Sequence, residues 1–207
     1  MPLLAVITGD LVGSTRVSAP DAFRQRLGEL VGVIAKKFQA QTQLYRGDGF
    51  QLSIGPEGNA FRLAVLLRAG LICAGPDGRE RWDARIAIAF GEGSFPPENQ
   101  SSDIHVKSGR TLDGLKKGHF MVHADDQTLR LATGAATAFA DDILSQLTTA
   151  EAQALYYHVL EGGSHQDIAD RLGKKRPTVT QALQRARYQL LDRYIGDMDS
   201  LVRKFHE

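Results

Sequence analysis

The chain has 207 residues, 43% of them hydrophobic and 24% charged, with a formal net charge of +1. That balance belongs to one large folded domain or two small ones and excludes a disordered chain. A single cysteine, Cys73, excludes an intrachain disulfide and a thiolate metal cluster.

The opening MPLLAVITGDLVGST has no basic leader, and its apolar run is too short for a signal peptide. No window approaches the roughly 18 apolar residues of a membrane span, so a cytoplasmic chain with no membrane partner is expected. LLAVITG, residues 3–9, reads as a buried strand. Phe23, Leu27, Leu30, Val31, Ile34 and Phe38 then recur at helical spacing from about Pro20. QTQLYR and FQLSI flank Gly47-Asp48-Gly49, a hairpin whose turn residues tolerate positive φ. FRLAVLLRAGLICAG predicts a helix, DARIAIAFGEG an alternating strand, residues 104–117 a helix and HFMVHA a last strand. This order predicts an α+β sheet covered by helices on one face. ATGAATAFADDILSQL predicts a further helix, with a domain boundary near 140–147. The expected division is residues 1–143 and 144–207.

Residues 1–147 hold 16 basic and 16 acidic side chains, whereas Arg171 to Arg193 holds seven bases against one acid, Asp192. A local +6 suits either a phosphate-facing surface or a solvated helix face. Thr148 and Glu151 have capping-box spacing and start a helix that ends at Gly162-Gly163. Ser164 caps HQDIADRL, Gly173 closes it, and Pro177 suits the first turn of PTVTQALQRARYQLL. Ile168, Ala169, Leu172, Val179, Leu183 and Ala186 fall where two short helices crossing steeply would pack. Thr178, Thr180, Gln181, Gln184 and Arg185 are left outward, as groups able to bond base edges in a major groove. Lys174, Lys175, Arg176 and Arg187 would sit near phosphates and fix register. The competing reading is a three-helix bundle used for dimerisation. DIADRLG followed by RPTVTQALQRAR resembles the helix-turn-helix of bacterial regulators and of promoter-reading sigma-factor domains.

In the first segment, Asp10 stands just past a buried strand, and a Gly-Ser-Thr loop leads on toward a helix. Asp48 lies at the hairpin tip; if the two strands are neighbours, the carboxylates converge at one sheet edge. Two hard carboxylates with ligand phosphates are how proteins usually hold Mg²⁺. The plain alternative is that Asp10 caps a turn and Asp48 makes the hairpin. These motifs, with RIAIAFGEG at 85–93, resemble class III nucleotidyl cyclases. That resemblance implies a ferredoxin-like, cyclase-like sheet followed by an all-α helix-turn-helix domain. It makes Asp10 and Asp48 the metal carboxylates and has Leu11, Gly13, Ser14 and Thr15 supply the phosphate loop. The family's transition-state Asn and Arg stand four residues apart on a later helix; here Arg110 matches the Arg, but Val106 replaces the Asn. Support for 3′-OH attack is therefore missing. ITGDLVGS, YRGDGFQL, RIAIAFGEG, SGRTLDGLK and the C-terminal helices together resemble the SatD family, which carries no settled activity.

The expected protein is a homodimeric regulator that binds double-stranded DNA and senses a nucleotide or phosphorylated ligand with Mg²⁺. The alternative is a divergent nucleotidyl cyclase or nucleotide hydrolase with a helical tail. A third reading leaves the first domain as a dimerisation scaffold. His119 and His123 lack a third ligand for zinc, Cys73 reads as core, and Ser14 lacks a nucleophile context.

Overall fold

The computed structural model describes residues 3–45, 47–76, 80–97 and 102–206; Arg46, a basic residue of the hairpin, lies outside them. The first segment runs β1 (Leu3–Leu11), α1 (Pro20–Phe38), β2 (Gln41–Leu44), β3 (Gly49–Ile54), α2 (Ala60–Ile72), β4 (Ala84–Glu92), α3 (Asp103–Gly114) and β5 (Phe120–His123). Helices α4 (Gln127–Gln146), α5 (Thr149–Glu161), α6 (His165–Leu172), α7 (Arg176–Arg185) and α8 (Tyr188–His206) follow. The sheet order is β2-β3-β1-β4-β5, so β1 is central, antiparallel to β3 and to β4, while β5 joins β4 in parallel. The expected mixed α+β sheet followed by a helical region is present.

Alternation along β1 divides its side chains between two faces. Ala5, Ile7 and Leu11 enter the main core with Phe23, Leu27 and Ile34 of α1 and nearly all of α2. Every α2 residue except Arg62 is buried, so this helix is the centre of the molecule. Full burial of each large apolar side chain contributes about 1.5–3 kcal/mol. Leu4 and Val6 point the other way, onto Ala89 and Ile104 of α3. The expectation of helices on one face is therefore corrected: α3 covers part of the second. Its contact there is partly polar. His105 Nε2 lies 2.9 Å from Ser53 Oγ, and Ser108 Oγ lies 2.7 Å from Thr8 Oγ1. Gln51 donates to Thr8 Oγ1 at 2.9 Å and accepts from Tyr45 at 3.0 Å. Each of these polar side chains thereby finds a partner; left unpaired in the interior, it would cost free energy.

Helix α4 begins one turn earlier than its sequence pattern suggests, because Asp126 caps it by accepting from the Leu129 N–H. The expected division after residue 143 falls inside α4. One apolar core runs from α1 through α2, α4 and α5 to Leu191, Ile195 and Val202 of α8. Two further contacts fasten α8 to the first segment: Asn59 donates to the Ile195 carbonyl at 3.2 Å, and Arg203 to the carbonyls of Pro56 and Gly58.

The predicted single helix over 177–191 is two helices. It breaks at Arg187, which has a φ of 52°. A non-glycine residue there costs about 1–2 kcal/mol. The turn is offset by what it allows: Ala186 and Leu191 both reach the main core, while Tyr188 packs edge-on to His158 and His165.

Candidate functional site

Two groups of residues stand out, one at the end of β1 and one on α7. In the first, Asp10 lies opposite Gly49 of β3 on one side and Arg85 of β4 on the other. The hairpin and strand expectations therefore hold, and Asp10 and Asp48 come to the same end of the sheet: the Leu11 N–H donates to the Asp48 carbonyl at 3.2 Å. Gly9 permits this close assembly, since a Cβ there would meet the Phe50 ring at 2.4 Å.

Neither carboxylate stands open. Arg85 donates to both oxygens of Asp10, from Nε at 2.8 Å and Nη2 at 2.5 Å. The Asp10 hydrogen bond, working against partial burial and helped by the charges of Asp10, Asp113 and Asp48, raises the Arg85 pKa above its ordinary value. Asp48 accepts a hydrogen bond from the Ser14 hydroxyl. Leu11, the last residue of β1, is buried; in the loop that follows, Ser14 is buried and Thr15 is exposed. The loop turns where the Arg16 N–H donates to the Gly13 carbonyl at 2.8 Å. Arg110 is exposed on α3, and Val106 is 39% exposed.

Among the described residues, no group of three or more His, Cys, Asp or Glu is placed to hold a metal ion. Asp10 and Asp48 offer hard oxygen donors, and an ionised carboxylate accepts about four bonds. Carboxylate oxygens of this kind are donors of the type Mg²⁺ takes.

Behind this end of the sheet lies a buried charge cluster that the sequence pattern did not reveal. Arg68 is fully buried; it donates to both Asp83 oxygens at 2.9 and 2.8 Å, to Asp141 at 2.6 Å and to Ser145 at 3.1 Å. Burial alone would lower the Arg68 pKa, but Asp83 and then Asp141 outweigh it and hold it above the ordinary value. The Asp83 carbonyl accepts from the Val12 N–H at 2.9 Å. Neighbouring Arg81 donates to the carbonyls of Leu144 and Leu147 at 2.6 and 2.8 Å, at the α4 C-terminus. Arg68, the second arginine in the apolar run FRLAVLLRAG, was the available signal.

In the second group, the predicted capping box of Thr148 with Glu151 is present, and the predicted cap Ser164 forms a second box with Asp167. Gly173 ends α6 at a φ of 60°, which glycine adopts without strain. Ile168, Ala169, Val179 and Leu183 form one buried cluster with Ala154, and Leu172 packs beside it. Thr178, Gln181, Gln184 and Arg185 are exposed along α7. Thr180 is half-buried instead, its hydroxyl 3.0 Å from His165 Nδ1. Lys175, Arg176 and Arg187 are exposed, while Lys174 donates to Gln153 of α5 at 2.7 Å.

Residues 140–190 match the family described as Sigma-70, region 4, from the last turns of α4 through α7. No curated protein sequence matches the chain. Among solved structures, the active GGEEF domain of a diguanylate cyclase from Vibrio cholerae is similar at 16% identity, with a TM-score of 0.48, over 60% of this chain and 85% of that one. The guanylyl cyclase domain of the RhoGC fusion protein from the fungus Blastocladiella emersonii is similar at 21% identity, with a TM-score of 0.46, over 58% and 80%. Among the described residues, no helix is long and apolar enough to cross a membrane.

Proposed function

We propose that the chain is a cytoplasmic, homodimeric DNA-binding regulator of the SatD type, in which the β-sheet segment senses a phosphorylated ligand. The observation that carries the reading is the second group. Val179 and Leu183 are buried against α6, while Thr178, Gln181, Gln184 and Arg185 stand exposed on α7. The match to sigma-70 region 4 over the same helices supports it. Exposed Gln and Arg side chains suit adenine and guanine edges in a major groove. Lys175 and Arg176 suit phosphates, which position the helix without reading sequence. Lys174 reaches phosphate by letting go of Gln153, and Thr180 serves chiefly to hold α7 on α6.

In the same reading, Asp10 and Asp48 hold Mg²⁺ together with the ligand's phosphates. An ion held there would neutralise phosphate charge that the carboxylates would otherwise repel. Leu11, Gly13, Ser14 and Thr15 form the wall of that subsite, and Arg85 contributes a cation. The hydrogen bonds from Val12 through Asp83 and Arg68 to Asp141 lead toward α4, whose C-terminus runs directly into the Thr148 cap of α5. A ligand that favours one arrangement of this path shifts DNA affinity by the same differential.

The test is DNA affinity by fluorescence anisotropy at fixed salt, with and without ATP or GTP plus Mg²⁺. A nucleotide-dependent change that Asp48→Asn abolishes is expected. Nucleotide binding with unchanged DNA affinity overturns the sensing part of the reading.

A second reading, a divergent nucleotidyl cyclase or nucleotide hydrolase, is favoured by one observation: Asp10, held by Arg85, and Asp48 stand at the same end of the sheet, with Arg110 exposed on α3. Against it stands Val106, an apolar side chain where a transition-state amide is needed. Product formation from ATP or GTP with Mn²⁺, lost in Asp48→Asn, would establish it.

A further inference from the structure

Helices α4 and α8 cross on the molecule's outer side and leave a groove of about 370 Å³ between them. On α4 the lining residues Ala136, Phe139, Ala140 and Ile143 fall at i, i+3, i+4 and i+7, which is a full apolar stripe. Ala140 of this stripe lies in the main core, and Ala136 and Ile143 are half-buried against it. Here Phe139 is 75% exposed and Leu190, on the α8 wall, is 55% exposed. Isolated exposed apolar residues need no explanation, but two of them lining one groove mark a contact surface.

The charges on the rims indicate what covers it. The α4 rim carries Asp142, whose described partner is the neutral Gln146. The opposite rim carries exposed Arg187, at the corner between α7 and α8. A surface with a protruding aromatic, a groove beside it and opposite charges on its two walls is complementary to itself. Two-fold symmetry requires that property, because one patch must serve both sides of the contact.

We infer that the α4–α8 groove is the homodimer interface, with Phe139 of each copy seated in the groove of the other and Asp142 set against Arg187 across the two-fold axis. The inference deepens the dimeric part of the function proposed above and gives the dimer its seam. Arg187 lies two residues past the end of α7, so a seam here places the two reading helices at a fixed separation. The sheet is then free of the dimer contact, and the strand-end carboxylates of each chain belong to that chain alone.

Sedimentation velocity on the full chain at micromolar concentration tests the seam, in the absence of DNA. The wild type is expected to be a dimer, and Phe139→Glu a monomer with an unchanged melting temperature, since the replaced ring is largely exposed. Asp142→Arg and Arg187→Asp should each weaken the dimer by tenfold or more, and the two together should restore it. A monomeric wild type, or a Phe139→Glu variant that remains dimeric, overturns the inference. DNA affinity measured on the same samples keeps the two claims apart. A groove-dependent dimer without DNA binding upholds the seam and sinks the regulator; a DNA-binding chain that dimerises despite Phe139→Glu does the reverse.

Discussion

Arg85 grips Asp10 through both carboxylate oxygens, from the strand directly beside it. The cation thus sits on one of the two carboxylates proposed to hold a metal ion. Were Mg²⁺ held by Asp10 and Asp48 as proposed above, it would have to share Asp10 with Arg85, and a ligand's phosphate would offer Arg85 another partner.

Removing the arginine separates the two roles. Arg85→Ala is expected to bind Mn²⁺ alone about fivefold more tightly, the worth of about 1 kcal/mol for a partly exposed pair. The same variant should bind the metal–nucleotide complex more weakly. Isothermal titration reads both quantities. Equal weakening of metal and nucleotide would mean that Arg85 only holds Asp10 in shape.

The Arg68 cluster should make the chain unfold as one unit. Its guanidinium joins α2 to Asp83 before β4 and to Asp141 of α4, all in the interior. Asp83→Ala strands a buried charge, and a loss of about 3–5 kcal/mol is expected in urea denaturation. In the wild type, Trp82 fluorescence and helical circular dichroism should change together. Two separated transitions, or a loss below about 1 kcal/mol, would contradict this role.

His105 predicts a pH dependence of stability. It is buried under α3 between Ser53 and Ser102, and burial lowers its pKa from the ordinary 6.5. The unfolded chain therefore takes up a proton at a pH where the folded chain does not. The stabilising contribution is complete above pH 6.5 and is lost as the pH falls below it toward the lowered value. Between pH 7.5 and 5.5, the melting temperature of the wild type should fall more than that of His105→Gln. Parallel curves for the two would exclude His105 as the source.

The sequence made most of this fold legible because its signals were local. Apolar spacing placed α1, the Gly47-Asp48-Gly49 turn placed the hairpin, and capping residues placed α5 and α6 within a residue or so. What stayed hidden depends on tertiary partners. The Arg187 turn is set by what Ala186, Tyr188 and Leu191 pack against, and no glycine or proline marks it. Helix α3 crosses to the second face because Ile104, His105 and Ser108 find partners there, which periodicity cannot show. Of the candidate site, Asp10 and Asp48 were readable as motif positions. Their engagement by Arg85 and Ser14 was not, since it depends on strand register and loop path.

On α7, Arg185 and Lys175 should behave differently. Arg185→Ala is expected to weaken binding to a specific site by about 1–3 kcal/mol while leaving random DNA less affected. Lys175→Ala should weaken both alike and lower the salt slope by about one unit. Anisotropy titrations from about 50 to 200 mM salt measure both slopes. If Arg185→Ala lowers both affinities equally, the reading face lies elsewhere on the helix.

The central claim is that α7 presents a sequence-reading surface on a dimer. Selection from a pool of random double-stranded DNA by the purified full chain, at near-physiological salt, tests it most directly. The account predicts enrichment of one short two-fold symmetric sequence by the wild type, lost in Arg185→Ala. Recovery of no sequence above the starting pool, from a folded and dimeric protein, would contradict it.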